Sequence, residues 1–201
     1  MSNTAVADKK EKFTIPLAKM SLNAWPGRTD TKGIVSSLMI SLVMIGIMQF
    51  GERLDTILTG GLFPVSGRII SITMIGFGTM LYGVVGGLIV SEINPLIATA
   101  TGTSPIAPFF FITNACQVLS AWITGKVFDN VLSWKACILN AVLATVFLVA
   151  LYIPMHIIYF HMPVEKMMSL YFMQSVFSLT VPAVLLRMLL KVVKDAGFVE
   201  D

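Results

Sequence analysis

Among the side chains with hydrogen-bonding groups in the apolar stretches of this chain, eight are candidate site residues: Glu92, Asn94, Asn114, Gln117, Tyr152, His156, Tyr171 and Gln174. Their types suit recognition rather than bond breaking. Amides, phenols and an imidazole orient a small molecule by donating and accepting hydrogen bonds in an otherwise apolar pocket. The sequence has no phosphate-cradling glycine loop, no dinucleotide fingerprint and no metal-binding helix motif. It has no acid–base constellation either, so an enzyme is not expected and no cofactor is called for. Glu92 is the single candidate acid inside the apolar segments, near the end of its run. A proton or ion relay would want ionisable groups at mid-depth. The chain therefore reads as able to bind but not to power transport by itself. The few charges near these residues suggest a neutral or aromatic ligand.

The elements that hold these residues must be membrane helices. Of the 201 residues, 56% are hydrophobic and 12% charged, and mean hydropathy is +0.83. Soluble domains average about 25% charged. The net charge of +3 is too small for a nucleic-acid surface, and the basic residues gather near the ends of apolar segments, which is a topology signal. Cys116 and Cys137 lie in apolar runs and give neither metal spacing nor a disulfide framework. Residues 1–32 read as a basic cytoplasmic tail without a secretory signal, in which Phe13 to Trp25 could rest on the membrane surface.

Apolar runs cover about 33–50, 67–97, 108–127, 136–160 and 167–190, with a tail over 195–201. The run over 67–97 exceeds the about 20 residues that cross a hydrocarbon core. It is interrupted by Gly76-Phe77-Gly78. Read as one span, it puts Arg187, Lys191 and Lys194 outside. Read as two, about 67–77 and 79–97 with a turn near Gly78, it puts eleven of the fourteen Lys and Arg inside, leaving Arg53, Arg68 and Lys166 outside. The expected fold class is all-α: a six-helix membrane bundle over 33–194 with both termini cytoplasmic.

That topology fixes depths. Asn114 and Gln117 share a face about 9 to 14 Å below the outer end of their span. Tyr171, Gln174, Ser178 and Pro182 repeat on one face of the last span. Tyr152 and His156 fall at the outer end of the fifth, and Glu92 and Asn94 at the outer end of the third. Four segments thus aim polar groups toward one outward-facing pocket. Amides in spans also serve as bonds between helices, and Trp122 suits either packing or a pocket wall. The loops over 51–66 and 98–107 are expected to cover the pocket. Gly33, Ser37 and Ser41 recur every four residues and make a smooth stripe suited to helix docking. Gly83 and Gly87 make a second stripe, for internal packing.

In architecture, over about Gly33 to Lys194, the chain resembles the substrate-binding S component of energy-coupling factor transporters. The residues that carry the resemblance are Met74-Ile75-Gly76-Phe77-Gly78, Leu81-Tyr82-Gly83-Val84-Val85-Gly86-Gly87 and the Gly33/Ser37/Ser41 stripe, where the family has alanines. The resemblance implies a short second helix leading into a Gly-rich third. It also implies an outward pocket for a water-soluble vitamin or similar nutrient, and docking of the first helix on a transmembrane coupling subunit with two ATPases. It implies a multi-pass protein of a prokaryotic plasma membrane. The alternatives are a self-sufficient channel or facilitator and a membrane scaffold.

Overall fold

The computed structural model describes residues 29–59, 65–101, 107–161 and 163–197. Five helices account for nearly all of them: α1 (Thr31–Thr59), α2 (Val65–Thr101), α3 (Ala107–Val127), α4 (Trp134–Phe160) and α5 (Val164–Asp195). Each contains a segment long and apolar enough to cross a membrane. The distribution of side chains agrees. Met39, Leu42 and Phe50 on α1 and Phe172, Met173 and Val176 on α5 are exposed, while Ser37, Ser41, Thr79, Ser120, Thr124 and Gln174 are buried. Apolar surface on this scale is a liability in water. In a bilayer it is the lipid-facing side, and polar groups turn inward to find partners.

α2 is not one rod. Gly83 sits at φ 77°, ψ −169°, a region essentially reserved for glycine. In a straight helix Gly78 and Val90 would lie about 18 Å apart, yet a Cβ on Gly78 would stand 2.7 Å from a Val90 methyl. Likewise, a Cβ on Gly87 would collide with the Thr79 hydroxyl. The two arms of α2 are therefore folded back on each other, and α1 records the reversal. It runs antiparallel to the first arm, with Gly51 against Ile70 and Ser66. It runs parallel to the second, with Ser37 against Gly86 and the Ser41 hydroxyl donating to the Val90 carbonyl (3.3 Å).

The remaining helices alternate in direction. α3 packs antiparallel to the second arm, with Val118 over Gly87 and Asn114 beside Ser91. α4 returns along α3, placing Phe109 edge-on to Tyr159 and Ala121 with Cys137 and Ala141. α5 returns along α4, pairing Tyr171 with His156 and Arg187 with the Leu132 carbonyl. One end of the bundle thus holds Asp55 and the starts of α2, α3 and α5. The other holds the Gly83 turn, the start of α1 and the ends of α3 and α5.

Local chemistry sets the helix ends. The Asp55 carboxylate accepts from the Ser66 and Gly67 N–H groups (2.9 and 3.1 Å). A negative group on the free amides of a helix start is favourable, and here α1 supplies it to α2. Ser133 caps α4 by accepting from the Ala136 N–H. His161 closes that helix in the left-handed region at φ 48°.

Several expectations shift. The sharp turn lies at Gly83, not near Gly78; Gly78 instead faces Val90 inside the hairpin. α1 continues past residue 50 to Thr59, so much of the expected 51–66 loop is helical, and residues 98–101 likewise extend α2. The remainder of both loops, with Gly60, Gly61 and Pro64, and the basic residues Lys9 to Arg28 lie outside the described residues.

Candidate functional site

Arg68 lies on the first arm of α2, directly after the Ser66 and Gly67 amides that Asp55 caps, yet its side chain is buried (6% exposed). Its guanidinium carbon stands 4.9 Å from the Tyr152 ring centre and 5.5 Å from that of Tyr171. Contacts of a desolvated cation with aromatic faces contribute about 2 kcal/mol. They offset only part of the several kcal/mol that burying a charge costs. The guanidinium hydrogen-bonds the Tyr171 side chain, Nη1 has no hydrogen-bond partner, and no described carboxylate pairs with it.

α4 and α5 supply the walls. Tyr152 and His156 are four apart on α4, so they stack on one face. His156 Nδ1 lies 2.9 Å from both the Tyr152 carbonyl and the Tyr171 hydroxyl. With hydrogen on Nδ1, the imidazole donates to these oxygens; with Nδ1 bare, the Tyr171 hydroxyl donates to it. In both arrangements His156 fixes the Tyr171 ring against Arg68. Ile72, Leu148, Met155 and Met167 pack around the tyrosines, with Phe109 and Phe110 at the margin. Gln174 and Ser178 continue the buried face of α5 below Tyr171, and the Ser178 hydroxyl lacks a partner.

A second polar group is held by α1, the second arm of α2 and α3. Asn114 Nδ2 donates to the Ser91 carbonyl at 2.7 Å. The reason lies in the sequence: Pro95 is inside α2, has no N–H, and leaves the carbonyl four residues back without its helical donor. Asn114 replaces that donor across the helix interface. Gln117 Nε2 then donates to Asn114 Oδ1 (3.3 Å). The Ser91 hydroxyl donates to Glu92 Oε1 (3.0 Å). Glu92 Oε2 and Gln117 Oε1 are buried with no hydrogen-bond partner. Asn94 turns to α1 and donates to the Met48 sulfur at 3.8 Å.

The eight expected residues therefore separate into two groups. Tyr152, His156, Tyr171 and Gln174 gather between the first arm of α2, α4 and α5. Glu92, Asn94, Asn114 and Gln117 gather between α1, the second arm and α3, and there Asn114 serves a helix-to-helix bond. Sequence reasoning missed Arg68, which it counted only among the charges at the outer side. The available signal was its place at the head of Arg68-Ile69-Ile70, with Ile72 and Ile75 after it at helical spacing. Both isoleucines are buried.

The Gly33, Ser37 and Ser41 stripe is corrected. All three are buried: Ser37 donates to the Gly33 carbonyl (2.8 Å) and lies over Gly86, and Ser41 bonds Val90. The smooth face of α1 is covered by the second arm of α2. Its outward face carries Val35, Met39, Leu42 and Phe50. At the opposite end of the bundle from Arg68, Lys126 lies over the Trp122 ring at 5.4 Å and Arg187 over the Trp134 ring at 4.5 Å.

No family model, curated protein or solved structure matches this chain.

Proposed function

We propose that this protein is the substrate-binding subunit of a membrane uptake system of the energy-coupling factor type. It takes a water-soluble vitamin or similar small nutrient from the outer face of a prokaryotic plasma membrane. A coupling subunit and two ATPases supply the driving force. In this reading the chain crosses six times, the two arms of α2 being separate spans of about 18 residues each, near the lower bound for a crossing. The Gly83 end is cytoplasmic, because Lys32, Lys126, Lys135, Arg187, Lys191 and Lys194 belong to segment ends on that side.

The observation that carries the reading is the Arg68, Tyr152, His156 and Tyr171 cluster. It is a polar constellation shut inside one end of an apolar bundle, opposite the basic end. Buried polar groups inside membranes are costly and serve binding or transport. Two measurements test this. Mass spectrometry of small molecules that co-purify with the protein should find one retained compound, and the lone chain in liposomes should bind it without passing it. Flux down a gradient without ATPases would assign a channel or facilitator instead. A protein that retains nothing would be a scaffold.

A further inference from the structure

We infer that Arg68 anchors a ligand carboxylate, so that the compound bound is a monoanionic organic acid with an apolar or aromatic body. The inference rests on the binding reading above and narrows its substrate class. It replaces the neutral ligand expected from the scarcity of charges.

The argument starts from an unbalanced charge. Arginine stays protonated in proteins and presents five donors. Arg68 is 6% exposed, and its Nη1 has no acceptor. The groups facing it are tyrosines from two helices; the Tyr171 hydroxyl gives the guanidinium one acceptor, and Nη1 is left without one. A guanidinium in that state is matched by a planar oxyanion, which takes parallel N–H···O bonds. The charge selects the class further. At this end of the described bundle Arg53 and Glu165 are exposed and the Asp55 carboxylate is taken up by the start of α2, so Arg68 is the buried cation there. A phosphate monoester, at about −1.5 to −2, would leave excess negative charge in an apolar site. A carboxylate neutralises the guanidinium one for one. The body of the acid is set by the surroundings: Ile72, Met155, Met167, Phe109 and Phe110 offer apolar and aromatic contact. His156 and Tyr171 supply the polar atoms that a ring or amide substituent would meet.

The same carboxylate chemistry could come from a nutrient or from a lipid, and the test separates them. Purified protein is titrated with matched acid and neutral pairs (nicotinate and nicotinamide, pantothenate and pantothenol, biotin and biotinamide). Laurate and phosphatidylglycerol are added as lipid probes. Thermal stability and equilibrium binding are read on wild type, Arg68→Gln and Arg68→Lys. The expected result is that one acid binds and its neutral partner binds about 30-fold more weakly or not at all. Arg68→Gln should lose about 30-fold or more in affinity for that acid, and Arg68→Lys less, as for removal of one member of a buried charge pair. The acid–neutral comparison needs no variant, so it holds even where Arg68→Gln fails to fold. A neutral partner that binds as tightly as its acid, with Arg68→Gln unaffected, overturns the carboxylate anchor and leaves the nutrient-binding reading standing. Arg68-dependent binding of laurate alone keeps the anchor and overturns the nutrient reading. Preference for phosphatidylglycerol, or binding of no anion at all, overturns the anchor.

Discussion

Replacing Gly83 by alanine should destabilise the protein by about 1–2 kcal/mol. The residue sits at φ 77°, ψ −169°, where an L-residue pays about 1–3 kcal/mol of backbone strain. Against this, alanine narrows the unfolded ensemble by about 0.4–1 kcal/mol, which leaves the net figure. The control is Gly46→Ala in α1. A Cβ there meets nothing within 4 Å, so only helix propensity changes and alanine should stabilise by up to about 1 kcal/mol. The pair is measured by reversible unfolding in mixed micelles, with the orientation of a C-terminal reporter scored in cells. If the two arms cross separately, as proposed above, a Gly83→Ala variant that straightens α2 also moves the reporter to the other side. A Gly83→Ala protein as stable as wild type, with the same orientation, would refute the reversal at this residue. A fall in stability for Gly46→Ala as large as that for Gly83→Ala would show that the cost is not specific to the turn.

Other outcomes follow from the packing. Gly87→Ala should cost about 1–3 kcal/mol through overpacking against the Thr79 hydroxyl. Thr79→Ala should recover most of that loss in the double variant, and unfolding of the four proteins reads the coupling. Ser41→Leu should lower the melting temperature of the isolated chain, because Ser41 is buried on the second arm of α2. An unchanged melting temperature would return the stripe to the outer surface. Asn114→Leu should cost about 1–3 kcal/mol by leaving the Ser91 carbonyl without a donor. Pro95→Ala in the same chain should restore much of it, since an alanine N–H can bond Ser91 within the helix; no rescue would disprove that role. Tyr171→Phe should cost about 1–3 kcal/mol through the lost bonds to His156 and Arg68, read by the same unfolding measurement.

The helical class and the membrane setting were legible because they depend on sums: composition, run length and the placement of charges. The fold-back in α2 was legible for the same reason, since a run over 67–97 is too long for one crossing. Its position was not, because five glycines compete for it within one segment. They are alike in sequence and differ in what they face. Gly76 lies under Asn140, Gly78 under Val90, Gly86 against Ser37 and Gly87 against Thr79. Only tertiary packing assigns those four to close approach and leaves Gly83 to make the turn. The docking stripe failed on the same ground. Small residues every four positions identify a face that packs closely, but not whether the partner is another protein or the next helix of the same chain.

The polar residues show why a candidate site is harder to read than a fold. A hydrogen-bonding side chain in an apolar run has two possible reasons to be there: a ligand, or a deficit elsewhere in the backbone. The deficit can be found by arithmetic on the sequence, because each proline inside a helix orphans the carbonyl four residues before it. Pro95 thereby nominates Ser91, and Ser91 claims Asn114. Removing such residues from a list of polar positions leaves those whose presence the backbone does not explain. Arg68 belongs among these. It sits mid-turn near the start of a regular helix, where an exposed cation would be ordinary, yet it is turned inward onto Tyr152 and Tyr171. Nothing in the backbone requires a cation there, and Nη1, without a partner beside the Tyr171 bond, shows that the protein's own acceptors satisfy it only in part. The burial of an unmatched charge, rather than the number of polar groups that converge, is what singles out this end of the bundle.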